Sequence, residues 1–560
     1  MQIYYFSVSL PDHSPSISIY PLFFMKRSIF KILLLLFVSQ SLFAGSITVT
    51  GKVSGVWNVD TVLVAGDLLI TADTSLEIVP GTRIIFTGHY LVSVKGQIYA
   101  EGTVDQPILF TVADTTGFSD SLTTAGSWHG FLFYSDGGGD AASRFFHCHF
   151  EYAKAVGNDS LAINGGVIRC YGRNGVVVEE CEFNHNYSYR WGGAVYMYHS
   201  NMIINRCIFR NNQSGTPTLP YGYGGALCSV QSDPQVTRCV FTGNRSTGVG
   251  GGASFERSDP QLQYNIFENN FSGLGGALSY LRSTPSRVVS DNLMYNNEAL
   301  FFGGAVCCIR SNTVFANNTI TGNLAPYGGG LYANDSACPS SYNTIYHGNA
   351  GAVGKEVYIW DIWSAPNFFY CDVAGGTEGF EGSGGQQGYH GMYENNIDTL
   401  PGFKGVGEHP YALVSNSVLI DLGTPDTAFL QIPPYDLAGN DRILNHRIDI
   451  GAYEHDPSTG NGLEATVNEE LFTIQISPNP TQGPVEVWVK SEKDGHLMLT
   501  LITPDGRQTG CTGKFFCQKG RQKITLDPAA IQPSNTTAGS YYLIATLGDK
   551  SRIVPLILIR

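Results

Sequence analysis

The sequence predicts an all-β chain: a long solenoid of stacked coils, followed by a small β domain at the C-terminal end. Three observations predict it. A double glycine recurs through the middle of the chain, a second short motif follows each copy, and the composition suits strands and turns. The chain has 560 residues, too many for one ordinary compact domain, so several domains or a repeat array is expected. It contains 66 Gly, 30 Tyr and 31 Phe, while charged residues make up only 14%. That mix favours short strands and tight turns over long helices, and it is too apolar and aromatic for a disordered chain.

The first 44 residues read as a signal peptide rather than as fold. Met25-Lys26-Arg27 and Lys31 form a basic start, Ile32 to Val38 an apolar run, and Ala44, Gly45 and Ser46 a small-residue cleavage region. The apolar run is short for a membrane span, Met25 is the expected true start, and export is the expected fate. No later segment reads as a transmembrane helix. A formal net charge of −14 without a Lys/Arg cluster argues against nucleic acid as a partner. Twelve cysteines in an exported chain allow disulfides, and without a Cys-x-x-Cys pair nothing supports a zinc ribbon or a thioredoxin-like motif.

Residues 46–135 predict opening coils, with strands alternating with glycine turns. Examples are Leu76-Glu-Ile78, Ile84-Ile-Phe86, Val92-Ser-Val94, Pro107-Ile-Leu-Phe110 and Trp128-His-Gly130-Phe-Leu-Phe133. The polar stretch 113–127 reads as a loop protruding from one coil.

The repeat follows. Double glycines stand at Gly165-Gly166-Val167, Gly192-Gly193-Ala194, Gly224-Gly225-Ala226, Gly251-Gly252-Ala253, Gly275-Gly276-Ala277, Gly303-Gly304-Ala305 and Gly329-Gly330-Leu331. A second motif begins at Cys148, Cys181, Cys207, Cys239, Asn265, Asn292, Asn318 and Asn343, with Phe, Met or Ile two positions on. A further Asn follows at 186, 212, 244, 270, 297 and 323. A unit of this size cannot bury its apolar face alone, so copies must stack, about 4.8 Å apart. Each unit is expected to hold two or three strands. The cysteines are expected to stack as small buried groups, or alternatively to bridge adjacent coils. Asn265, Asn292, Asn318 and Asn343 predict an amide ladder, the later Asn set a left-handed turn, and each Gly-Gly a corner.

The Gly-Gly-Ala and Phe-x-x-Asn pairing resembles the repeats of chlamydial polymorphic outer-membrane proteins. More broadly it is similar to right-handed parallel β-helix repeat proteins of exported bacterial origin. The resemblance covers roughly residues 145–350. It implies a right-handed parallel β-helix over 45–370, with terminal coils and a capping segment over 371–456. Such relatives include passive surface proteins, adhesins and polysaccharide-degrading enzymes.

Residues 375–391, rich in Gly, Gln and Glu, break the register. Three segments after them, around Asp421-Leu-Gly423, Asp436-Leu-Ala-Gly439 and Asp449-Ile-Gly451-Ala-Tyr-Glu454, resemble the closing segment of exported bacterial β-helix proteins. Asp421, Asp436, Asp449 and Glu454 are a candidate Ca²⁺ site, since hard oxygen ligands suit that ion. Alternatively they cap turns and pair with Arg442 and Arg447. A polar linker, 457–470, leads to a domain of alternating strands over 471–560, expected as a β-sandwich. Its Pro478-Asn479-Pro480 entry, Gly483, the Asp505-Gly506 turn and the Gly539-Ser-Tyr541 strand are similar to the C-terminal sorting domain of type IX secretion in Bacteroidota. That resemblance implies the type IX secretion machinery as a partner, removal of the domain, and attachment to surface lipopolysaccharide or release. Cys511 and Cys517 are candidates to pair across a loop.

No nucleophile elbow, phosphate loop, zinc helix or dinucleotide fingerprint occurs in a strand-to-helix context. Asp233 and Asp259 lie in two copies of Ser-Asp-Pro-Gln, 26 residues apart, and should stack on adjacent coils. They are candidate acid and base, or cation ligands; equally, they are two copies of one turn. Tyr187, Tyr189, Trp191, Tyr196, Tyr198, Tyr221 and Tyr223 are the candidate ligand-binding group, because such rings bind sugars and protein partners alike. Two functions are carried forward. One is non-enzymatic adhesion or binding of a glycan or protein ligand. The other is a polysaccharide lyase or glycoside hydrolase, which needs carboxylates and Lys/Arg on one face.

Overall fold

The protein divides into two units, one ending at His455 and built around stacked coils, the other beginning at Asp456. The computed structural model describes residues 45–134, 142–157, 161–216, 221–284, 286–444 and 447–457, with 472–477, 485–491, 493–502, 508–526, 539–547 and 550–558 of the second unit. The expected signal peptide and most of the expected linker lie outside the described residues. The first unit is a right-handed parallel β-helix, and among the described residues no helix is long and apolar enough to cross a membrane.

One coil shows the plan. Ile168–Tyr171, Val176–Glu179 and Glu182–Asn184 form three faces, and the short pair Tyr187–Ser188 forms a fourth side before the next corner. Each strand pairs in parallel with its equivalent one coil on, as Val195 with Leu227 and Phe209 with Phe241. The alternation of the sequence then decides what points inward. Phe110, Phe150, Phe183, Phe209, Phe241 and Phe267 stack in one column, with ring centroids 4.6–5.0 Å apart. That separation is the coil spacing itself, so the ladder costs no distortion.

The two glycines of each corner do different work. The first is left-handed, with φ of 62°, 63° and 65° at Gly165, Gly192 and Gly224. At the second there is no room for a side chain: a Cβ on Gly276 would lie 2.2 Å from the carbonyl oxygen of Gly304 in the next coil. This places two corners one residue earlier than the sequence pattern suggests. Leu227 pairs with Ala253 and Val306 with Leu331, so the corner pairs are Gly250-Gly251 and Gly328-Gly329. Gly252 and Gly330 stand where other coils have Ala.

The asparagines also differ from expectation. The left-handed residue is the one before each Asn of the later set, as at His185 (φ 53°) and Asn211 (φ 54°). The Asn side chains themselves turn inward and form the longer amide ladder. Asn186 Nδ2 donates to Asn212 Oδ1 at 2.9 Å, Asn212 to Asn244 at 3.0 Å, and Asn244 to Asn270 at 2.9 Å. The ladder continues through Asn297 and Asn323 to Asn349, whose Nδ2 donates to Glu356 Oε2 at 2.5 Å. Burial pushes the Glu356 carboxyl up to about 7. The second, expected ladder runs from Asn265 to Asn292 to Asn318, each step 3.0 Å. Asn343 does not continue it: Asn318 N–H donates to Thr344 Oγ1, while Asn343 Oδ1 accepts from Thr424 N–H at 2.6 Å. Cys148, Cys181, Cys207 and Cys239 occupy the same position in earlier coils, as buried free thiols.

The loop over 113–127 does not protrude freely. Lys154, buried on the short fourth side, donates its ammonium to the carbonyls of Asp120, Thr123 and Ala125 at 3.0–3.1 Å. At the other end coils continue through Asp372–Val373 and Tyr393–Glu394. The chain then returns along the outside of the coils as a strap over 403–454. Ala452 N–H donates to Thr319 Oγ1 at 3.0 Å, and Arg442 lies 3.4 Å from Asp291.

In the second unit, Phe472–Ser477, Val485–Ser491 and Gly520–Leu526 form one antiparallel sheet. Gln508–Cys517, Gly495–Ile502, Gly539–Leu547 and Lys550–Leu558 form another. Val485, Val487, Val489, Leu497, Leu499, Leu501 and Leu543 fill the core between them. Gly539 opens a strand that includes Tyr541. Pro478, Asn479, Pro480 and Gly483, and the Cys511 side chain, lie outside the described residues.

The stacking predicts two stability outcomes. Asn244→Leu strands buried amide groups on both neighbouring coils and should cost about 2–3 kcal/mol in urea unfolding. Gly276→Ala should destabilise the first unit severely, whereas Gly45→Ala, with nothing within 4 Å of the added Cβ, should leave its melting temperature unchanged.

Candidate functional site

The strand after each corner alternates inward and outward, and in three successive coils its last outward residue is tyrosine. Phe131–Tyr134, Ile168–Tyr171 and Val195–Tyr198 are in register, so Tyr134, Tyr171 and Tyr198 form one column on the outer surface. Val195 and Met197 point into the core, while Tyr198 is exposed. The corner folds Trp191 onto the same face, in register with Tyr223 of the next coil.

These side chains wall a cavity of about 480 Å³, completed by Leu161, Asn164, Arg190, Tyr196 and His199. Tyr171 lies 5.5 Å from Tyr196 between ring centroids, Trp191 lies 5.8 Å from Tyr196, and Trp191 stacks on Tyr223 at 5.6 Å. The Arg190 guanidinium sits 4.3 Å from the Trp191 ring, and His199 lies 4.3 Å from Tyr198. Buried Arg169 fixes the segment that carries Leu161 and Asn164, donating to the Ala162 carbonyl at 2.9 Å. Burial pushes the Tyr196 phenol far above its usual range, so it stays neutral. The result is a cleft of ring faces with a few polar groups at its rim, the arrangement that suits small ligands with flat apolar sides.

Of the seven aromatic residues singled out in the sequence, Trp191, Tyr196 and Tyr198 line this cavity and Tyr223 backs it. Tyr187 is buried on the short fourth side, where its hydroxyl donates to the Gly215 carbonyl at 3.2 Å. Tyr189 N–H donates to the Ala155 carbonyl at 2.8 Å, on the same side. Tyr221 is 61% exposed and is not among the lining residues. Sequence reasoning missed Tyr134, Tyr171, Asn164, Arg190 and His199. A signal existed for one of them: Tyr171 and Tyr198 both fall six residues after the first corner glycine.

Asp233 and Asp259 do stack on adjacent coils, at the exposed edge. Asp233 N–H donates to Asn201 Oδ1 at 2.7 Å, and Asp259 N–H to Asp233 Oδ1 at 2.9 Å. Asp259 in turn accepts from Ser286 Oγ at 2.6 Å and from Arg287 N–H at 2.9 Å. Each carboxylate thus ties its turn to the next one, the work that Asn174 does for Asn201.

The strap gathers the other acidic residues. Asp421, Asp449 and Glu454 bring one oxygen each within 4.8 Å of one another, a set that hard cations favour. Asp436 turns elsewhere and accepts from the N–H groups of Asn440 and Glu454 at 2.7 and 2.8 Å. Two of these carboxylates, Asp449 and Glu454, also have protein partners. Asp449 accepts from Asp421 and His455 N–H at 2.7 and 2.6 Å, and Arg442 lies 3.6 Å from Glu454. Burial pushes Glu454 up to about 8 and Asp291 up to about 7, although Arg442 pulls both down.

A family model described as "Right handed beta helix region" matches residues 118–288 and, overlapping, 168–350. Both matches include the coils that carry Tyr171, Trp191 and Tyr198. No curated protein matches the chain. Among solved structures it is similar to the full-length tailspike protein 2 from Escherichia coli O157:H7 bacteriophage CAB120, at 9% identity and a TM-score of 0.19. That similarity covers 91% of this chain and 64% of the tailspike chain, less than two thirds of its length.

Glu454 of the strap and Asp291 of the coils beneath it set a pH dependence. Their folded pKa values lie above the ordinary 4.5 and 3.8, so the folded state holds protons that the unfolded state has lost. Stability is then greatest at low pH and falls as pH rises through about 7 to 8. The melting temperature should drop by a few degrees between pH 5.5 and 8.5, within ~3 units of titration, and Glu454→Gln should flatten that slope. A rising profile would contradict the buried-carboxylate account.

Proposed function

We propose that this chain is an exported surface protein that binds a glycan in the aromatic cavity of the coils, by recognition without turnover. The observation that carries the reading is the column Tyr134–Tyr171–Tyr198 beside Trp191, around a cavity of about 480 Å³. Sugar rings present an apolar face and a hydroxyl edge. Tyrosine and tryptophan faces match the first, while Asn164, Arg190 and His199 match the second. Among the described residues the cavity lining contains no carboxylate, which favours binding over acid–base cleavage. Asp233 and Asp259 are already engaged with backbone groups, which weighs against their acting as an acid and base pair.

Export rests on the basic and apolar run after Met25. Passage through type IX secretion machinery, and attachment to surface lipopolysaccharide or release, rest on the C-terminal motifs at Pro478–Gly483 and Gly539–Tyr541. Deletion of residues 471–560 should then retain the protein inside a Bacteroidota host cell, as read by fractionation; surface display without them would overturn this part.

The binding reading is tested on a glycan array with the purified chain, with and without Ca²⁺, followed by reducing-sugar and unsaturated-product assays on every glycan bound. Binding without products is expected. Tyr134→Ala and Tyr198→Ala, both at exposed positions, should each weaken it about tenfold with an unchanged melting temperature. Product formation would replace this reading with a polysaccharide lyase or glycoside hydrolase.

A further inference from the structure

A second cavity, of about 410 Å³, opens where the tip of the strap leans on the coils. Arg206, Arg238, Tyr264 and Ile266 form the coil wall, and Tyr435, Asp436 and Leu437 belong to the strap, the Asp436 carboxylate being held by the N–H groups of Asn440 and Glu454. We propose that this cavity binds a carboxylate-bearing sugar, a uronic acid unit of a glycan, at a site separate from the aromatic cavity.

The argument starts from the register. Asn205 pairs with Thr237, so the residues that follow, Arg206 and Arg238, hold equivalent left-handed positions one coil apart, with φ of 52° and 55°. Both side chains stand on the wall of the cavity, which is therefore lined by two guanidinium groups. The same position is Asn in later coils, at Asn317 and Asn343, so the backbone does not require arginine. Arg206 leans back to Glu180 of the preceding coil, at 3.6 Å. Arg238 makes no ion pair among the described residues, and its guanidinium rests 4.6 Å from the Tyr264 ring. An anion in the cavity would meet these cations on its coil wall, and guanidinium geometry suits a carboxylate held by two parallel hydrogen bonds.

The rest of the cavity says what the anion is attached to. Ile266 and Leu437 give it an apolar floor, and Tyr264 and Tyr435 give it ring faces. A free inorganic ion would leave these surfaces wet and unused. A ring with one apolar side and one carboxylate uses both halves. Its recruitment to a chain of net charge −14 depends on this local pair of arginines.

The test titrates the full chain with digalacturonate, galactobiose and galactose 6-sulfate by calorimetry. Digalacturonate should bind, galactobiose should bind about tenfold more weakly or not at all, and the sulfate ester should bind more weakly than the uronate. Arg238→Gln and Arg206→Gln should each cost about tenfold for digalacturonate, as should raising NaCl from about 50 to about 500 mM, with the melting temperature unchanged. Tyr198→Ala should leave digalacturonate binding as it was. No binding, equal binding of the neutral disaccharide, or insensitivity to both arginine variants overturns the proposal. So does loss of uronate binding in Tyr198→Ala, which would place the ligand in the other cavity. Tighter binding of the sulfate ester overturns the carboxylate assignment.

Discussion

Every coil of the first unit is hydrogen-bonded to its neighbours in register, so each side chain lies about 4.8 Å from its counterparts above and below. In the inward columns a residue type recurs where it packs against, or bonds to, a near-copy of itself at that distance. Phenylalanine qualifies by stacking. Asparagine qualifies because it carries a donor and an acceptor at one end: Asn212 donates to Asn244 while accepting from Asn186. Glycine qualifies at the corner because the next coil's carbonyl leaves no space for a Cβ. Outward positions are freer: Arg206 turns to Glu180 on one neighbouring coil and Arg238 to the Tyr264 ring on the other.

A ladder has an end, and the ends need different chemistry. The long Asn ladder finishes on a carboxylate, Glu356, which accepts both the side-chain and backbone N–H groups of Asn349. The shorter ladder finishes where the strap arrives. There Asn343 gives its oxygen to Thr424 and its Nδ2 to Asn317 Oδ1, and Thr344 takes the ladder position. The strap thus does more than cover apolar wall. It consumes hydrogen-bonding capacity that stacking alone would leave open, and it brings Arg442 to the buried carboxylate of Asp291.

The same constraint shapes both cavities. Equivalent outward positions become columns, so three tyrosines separated in sequence by 37 and 27 residues, from Tyr134 to Tyr171 to Tyr198, become one wall. The second cavity needs one column from the coils and a second surface from the strap. Neither cavity is a property of one repeat.

The sequence by itself determined the solenoid, the corner glycines to within one residue, the inward Phe column and the Cys-to-Asn switch, because each recurs at the coil period and stacking turns recurrence into contact. It also marked the second unit as a separate β domain by its change to alternating strands. What it left undecided was anything that breaks the period. Gly250-Gly251-Gly252 offers two equally good readings of the corner, and only pairing of Leu227 with Ala253 chooses between them. Asn343 looks like the next rung of a ladder, and only the strap, 81 residues further along the chain at Thr424, draws it aside. Tyr187 and Tyr198 look alike in sequence, yet one is buried on the fourth side and the other opens onto the cavity. Periodic contacts are local between adjacent coils and therefore legible; the strap's contacts join distant segments once each, so only the tertiary structure decides them.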